Sequence, residues 1–200
     1  MNEKKIGKKV IKKSTKKAKN QPPRAIKVVG ITGTPGCGKT TLAGRLESIL
    51  GKDDQYEFVN IAELVKERKL YSEWDDEMNC SIFDEKLVRM EIERIVCEAQ
   101  DSGKCGVVLE FHSLDFLRKK SVDRVFVLRS DTNRLWERLE ARNYSEKKIK
   151  ENVEAEIFME CLNDCQDQFG PDSVQCLDSN TEDDMNNNIE TILAFLKRDK

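Results

Sequence analysis

Eight consecutive residues, Gly33-Thr34-Pro35-Gly36-Cys37-Gly38-Lys39-Thr40, set glycines, a lysine and a hydroxyl at the spacing G-x-x-x-x-G-K-[ST]. Glycines so placed let the backbone curl until several N–H groups face one point, which makes a nest for an anion. Lys39 adds a cation long enough to reach β- and γ-phosphates, and Thr40 adds a hydroxyl suited to Mg²⁺. The predicted chemistry is the grip of a nucleoside triphosphate, with Gly33, Gly36, Cys37, Gly38, Lys39, Thr40 and Thr41 around its phosphates. A second group is Glu110-Phe111-His112, which ends a continuous apolar run. A carboxylate there can hold a water of a Mg²⁺ shell, and an imidazole can accept a proton or orient a water near neutral pH. The bland alternative is a strand end whose Glu and His face solvent. A third group is Arg129, Arg138 and Arg142. The last two are four residues apart, on one helix face, just before a turn. Guanidiniums arriving from a mobile lid would neutralise charge on a transferring phosphoryl group, whereas pairing with Glu137 and Glu140 would make them ordinary surface arginines.

These groups need elements to hold them. Residues 25–32 are apolar and β-branched and read as a buried strand. Leu42, Leu46, Ile49 and Leu50 then mark one face of a helix, giving the strand, loop, helix order that a phosphate loop requires. Further strands are expected over 56–61, 105–110, 122–129 and 173–177. Helices are expected over 62–70, 84–100, 131–141, 145–169 and 183–196, with an acidic loop between residues 71 and 81. Asp84 reads as one N-cap, Ser130 or Asp131 as another, and Gly170-Pro171 as a firm helix stop. Strands alternating with helices, several of them unbroken apolar runs, predict a doubly wound α/β domain on a parallel sheet covered on both faces. Glu110 then lies at the carboxyl end of its strand, where open α/β sheets place ligands.

The 200 residues suit one domain with a proper core. No apolar run approaches the ~20 residues of a membrane span, and no signal-peptide segment follows the first lysines. The seven cysteines are odd in number and lack C-x-x-C spacing, and His112 is the only histidine, so reduced thiols are expected rather than a disulfide framework or a Cys/His zinc site. The net charge of −2 hides a split. Residues 1–24 carry nine lysines and Arg24 against Glu3, which leaves the remainder near −11. That basic tail is expected to be disordered alone and to serve nuclear localisation or RNA contact; the alternative is a solvated tail that only raises solubility. The linker Gln21-Pro22-Pro23 separates it from a folded domain over 25–200. Small GTPases would show an N-K-x-D segment, absent here, and helicases need more chain. Small phosphotransferases fit size and layout.

Four stretches together are more specific than the phosphate loop alone: Thr32-Gly33-Thr34-Pro35-Gly36-Cys37-Gly38-Lys39-Thr40-Thr41, Tyr71-Ser72-Glu73-Trp74-Asp75-Asp76-Glu77, Glu110-Phe111-His112, and the continuous run from Phe126 through Arg138 and Arg142 to Lys148. In these the chain resembles the adenylate kinase isoenzyme 6 family. The resemblance implies a three-layer P-loop nucleoside-monophosphate-kinase fold with a parallel sheet of about five strands, a monophosphate-binding region near 60–83 and a lid near 141–151. It implies the reaction ATP + AMP ⇌ 2 ADP with Mg²⁺, together with ATP hydrolysis. It also implies work in maturation of the small ribosomal subunit and its 18S rRNA precursor, in nucleus and cytoplasm, beside a small-subunit ribosomal protein; an assembly ATPase with incidental phosphotransfer is the alternative. By position, Gly36, Gly38, Lys39, Thr40 and Thr41 would bind ATP phosphates, and Arg142 would be the lid arginine. Glu110 and His112 fall on an Asp-x-His motif, and Asn60, Lys66 and Arg68 fall on the AMP side. Three residues depart from the family pattern: Glu110 for Asp, Asn143 for Gly, and Lys66 for Arg.

Overall fold

The computed structural model describes residues 26–51, 55–75 and 80–197. The basic tail over 1–24 lies outside the described residues. Five strands form one parallel sheet: β1 (Lys27–Gly33), β2 (Tyr56–Asn60), β5 (Gly106–Glu110), β6 (Arg124–Arg129) and β7 (Val174–Asp178), in the spatial order β2-β5-β1-β6-β7. β1 and β5 are buried at every residue, which is why they read as unbroken apolar runs. Seven helices cover the described sheet: α1 (Lys39–Leu50), α2 (Ile61–Glu67), α3 (Glu85–Asp101), α4 (Thr132–Glu140), α5 (Glu146–Ile157), α6 (Glu160–Phe169) and α7 (Glu182–Lys197).

The strand period of two sends neighbouring side chains to opposite faces, and so builds two cores. Val28, Val107, Leu109, Val125 and Val127 pack with Leu64, Val88, Ile92 and Phe169 from α2, α3 and α6. Val29, Ile31, Val108, Phe126 and Leu128 pack with Leu42, Leu46, Leu135 and Ile192 from α1, α4 and α7. Each such side chain taken fully from water contributes about 1.5–3 kcal/mol. These two layers fix the sheet, and the sheet fixes the site. Strand order reverses beside β1, so the loop after β1 opens at the crevice where doubly wound sheets bind ligands.

Two expected elements differ in the structure. The segment expected as an acidic loop forms an antiparallel hairpin, β3 (Tyr71–Asp75) with β4 (Cys80–Phe83). Its acidic side chains hid the pairing, because a two-stranded ribbon off the main sheet has little apolar alternation to display. The single helix expected over 145–169 is two helices, α5 and α6, divided at Met159, whose backbone is left-handed with φ 56. The Phe158 amide closes α5 onto Glu154, Met159 bonds back to Glu156, and Asn163 restarts the ladder from the Met159 carbonyl. No Gly, Pro or Asn marks that break, so periodicity alone runs straight through it. Asp84 caps α3 through the amides of Lys86 and Leu87, as expected. At α4 no side chain supplies a cap: Asp131 makes none, and the Ser130 hydroxyl donates to the Ser179 carbonyl instead.

Candidate active site

The loop leaves β1 at Gly33, whose φ of 140 and close approach to the Leu128 carbonyl admit no side chain. A Cβ there would lie 2.3 Å from that oxygen. Gly38, with φ 92, then starts α1. No side chain caps α1 and its first turn holds no acidic residue, so the orphan N–H groups and positive end of the dipole face the loop unneutralised. Lys39 is buried, and its ammonium donates to the carbonyls of Gly33 at 2.7 Å and Thr34 at 3.1 Å. Burial pushes its pKa below the usual lysine value.

The carboxylate of Glu110 stands opposite, at the end of β5, and is also buried. It accepts from the Asn60 amide at 2.7 Å and from the Thr40 hydroxyl at 3.4 Å. Asn60 is itself fixed, because its side-chain oxygen caps α2 through the Glu63 amide at 3.1 Å. Burial raises the Glu110 pKa, while the Lys39 charge and the Thr40 hydrogen bond pull the other way. The Thr40 hydroxyl and the Glu110 carboxylate are oxygen donors of the kind that suits Mg²⁺. Among the described residues no group of three or more His, Cys, Asp or Glu forms a protein-only cage. His112 is exposed to solvent and leans on Phe111 with ring centroids 4.0 Å apart. Surrounding protein and then the Lys39 charge hold its pKa below the ordinary imidazole value, against the pull of Asp115.

Lys39, Thr40, Thr41, Gly36, Gly38, Asn60, Glu110, His112 and Arg142 all line one cleft of about 290 Å³, which Tyr144 also lines. The others lie elsewhere. Gly33 and Cys37 belong to the loop but are buried and do not line the cleft, and burial pushes the Cys37 thiol up to about 11, so it stays protonated at neutral pH. Arg138 does not line the cleft: its guanidinium donates to the carbonyls of Gly36, Ser179 and Asn180 and to the Ser130 hydroxyl. Arg129 pairs with Glu156 at 3.1 Å. Lys66 is exposed on α2, and Arg68 lies 3.6 Å from Glu91 and lines a neighbouring cleft of about 440 Å³ that shares Asn60. Of the three acceptor-side residues, only Asn60 reaches the cleft that holds Lys39.

Sequence reasoning passed over Glu156. It is 3% exposed, and its carboxylate accepts from the Thr34 hydroxyl, the Arg129 guanidinium and the Ser130 amide. A signal existed. Ile149, Val153 and Glu156 follow the helical period on one face, which puts a carboxylate on the core-facing stripe of α5.

The phosphate loop between β1 and α1, under a five-stranded parallel sheet with helices on both faces, defines a nucleotide-binding P-loop protein of kinase fold. An AAA domain family model matches residues 29–159. The fold is shared with shikimate kinase from Bacteroides thetaiotaomicron at a TM-score of 0.51, over 86% of this chain and 99% of that one, with 15% sequence identity. An adenylate kinase isoenzyme 6 homolog of Caenorhabditis elegans is 37% identical over 163 residues, covering 81% of this chain and 85% of its own length. Adenylate kinase isoenzyme 6 homolog FAP7 of Saccharomyces cerevisiae is 31% identical over 167 residues, covering 84% and 80%. The chain belongs to the adenylate kinase isoenzyme 6 family.

Proposed function

We propose that this protein is an adenylate kinase that moves the γ-phosphoryl group of ATP to AMP, and that it hydrolyses ATP when water takes the acceptor's place. The observation that carries this reading is the convergence of Lys39, Thr40, Glu110, His112 and Arg142 on one cleft at the carboxyl edge of the sheet. The first-turn amides of α1 bind the donor phosphates, and Lys39 exchanges its two carbonyl acceptors for phosphate oxygens. Arg142 meets the same phosphates from the opposite wall, where a guanidinium offsets charge spread over the transferring group. The Thr40 hydroxyl and the Glu110 carboxylate are the groups that would hold Mg²⁺, which when bound would supply further neutralisation of that charge.

An AMP phosphate oxygen attacks the γ-phosphorus, and the bond to the β–γ bridging oxygen breaks with its electron pair leaving on ADP. In hydrolysis His112, neutral at pH 7, orients the water and receives its proton. Arg138 supports the loop from behind. Asn60 marks the acceptor side, and Lys66 and Arg68 contribute to AMP only where α2 and the following hairpin move inward on closure.

The family resemblance supports a setting in nucleus and cytoplasm, in maturation of the small ribosomal subunit, with a small-subunit ribosomal protein in the pre-ribosomal particle as partner and rRNA contact through residues 1–24. One observation favours a second reading, an assembly ATPase with incidental transfer. The charge near −11 outside the tail suits a basic partner protein. ADP production from MgATP, with and without AMP, separates them. On the kinase reading AMP accelerates it several-fold, and Lys39→Ala lowers turnover about a hundredfold or more at an unchanged melting temperature. Persistent hydrolysis that ignores AMP would reject the kinase and leave the ATPase.

A further inference from the structure

Arg142 rides on the turn between α4 and α5, two helices packed on each other, and both legs of this hairpin are tied to the phosphate loop. On the α4 leg, Arg138 donates to the Gly36 carbonyl at 3.3 Å and to the Ser179 carbonyl at 2.9 Å. On the α5 leg, Glu156 takes the Thr34 hydroxyl on one carboxylate oxygen, with the Cys37 thiol 3.9 Å from the same atom. Its other oxygen accepts from the Ser130 amide at 3.0 Å and the Arg129 Nε at 3.1 Å, and its main-chain carbonyl accepts from Arg129 Nη2 at 2.9 Å. A buried carboxylate is costly unless donors surround it. These donors come from the phosphate loop and the end of β6. Packing α5 onto α4 requires no charge at that position, since Ile149 and Val153 on the same stripe are apolar.

We infer that Glu156 is a positioning residue: it holds the α4–α5 hairpin in register with the phosphate loop and so fixes where Arg142 meets the phosphates. The hairpin is then an arm braced at the phosphate loop. The inference rests on the kinase reading above. Loss of the brace displaces Arg142 by a fraction of a side chain, while the loop amides and Lys39 still bind the nucleotide.

The test is a double-mutant cycle with full kinetics on the intact chain. Glu156→Gln keeps the shape but replaces one acceptor oxygen by an NH2 group, so that either the Thr34 hydroxyl or the Ser130 and Arg129 donors lose their acceptor. The expected result is a kcat lower by about ten- to a hundredfold, the scale of a misplaced catalytic group, with KM for MgATP changed far less. In the Arg142→Ala background the same substitution produces little further loss, because its effect passes through that guanidinium. Thr34→Val, which removes one donor, decides by the same criteria if Glu156→Gln does not fold. Full multiplication of the two losses, or a lowered melting temperature with wild-type kcat in the folded fraction, overturns the inference. Wild-type turnover in Arg142→Ala also overturns it and leaves the kinase reading standing. A wild-type chain whose ADP production from MgATP does not rise with AMP sinks that reading itself.

Discussion

His112 shows what a residue's identity leaves open and its surroundings decide. As the only histidine it is an evident candidate, beside a carboxylate at a strand end. Its protonation state depends on Lys39 and the protein around it, which lower its pKa, and on Asp115, which opposes them. A base whose pKa lies below the ordinary imidazole value of 6.5 stays neutral into mildly acid solution. The acid limb of the hydrolysis rate is therefore expected below pH 6.5, and His112→Ala should remove it; a limb at or above that pH, or one untouched by the substitution, assigns the titration to another group. Lys39 and Thr40 were legible because their spacing is local, and Glu110 because it ends an unbroken apolar strand run. The engagement of Arg138 with the Gly36 and Ser179 carbonyls was not, because the latter lies 41 positions away along the chain.

Elements were readable wherever period and punctuation agreed. β1, β5 and β6 declare themselves by unbroken apolar runs, and α3 by its Asp84 cap. The α5–α6 break is different, since Met159 takes a left-handed backbone without the residue type that usually allows it. Tertiary bonds from Glu156 and packing of α6 against β6 hold the chain in that bend against its local preference. Met159 is 41% exposed, so replacing it by glycine removes only part of a buried side chain's packing. Met159→Gly should raise stability by about 1 kcal/mol, or roughly 2–4 °C in melting temperature for a domain of this size. A lower melting temperature would mean that the methionine side chain supports the bend.

At the scale of the whole molecule, charge separates along the chain: about −11 outside a tail of +9. Lysines that neutralise phosphates release counterions, so binding of the intact protein to single-stranded RNA should weaken steeply with salt. Removing residues 1–24 should flatten the slope of log K against log salt by roughly 3 or more, at about 0.7 for each phosphate that the tail neutralises. An unchanged slope would assign RNA contact to the folded domain. The sequence by itself determined the phosphate loop, the alternating strands and helices, and the family. Those features are local, since a loop motif spans eight residues and a buried strand shows its apolarity within five. Only the tertiary structure decided which arginine lines the cleft, which glutamate takes the Thr34 hydroxyl, and that Lys66 and Arg68 do not line that cleft. Those outcomes depend on where residues distant in sequence meet, and periodicity along a chain carries no record of that distance.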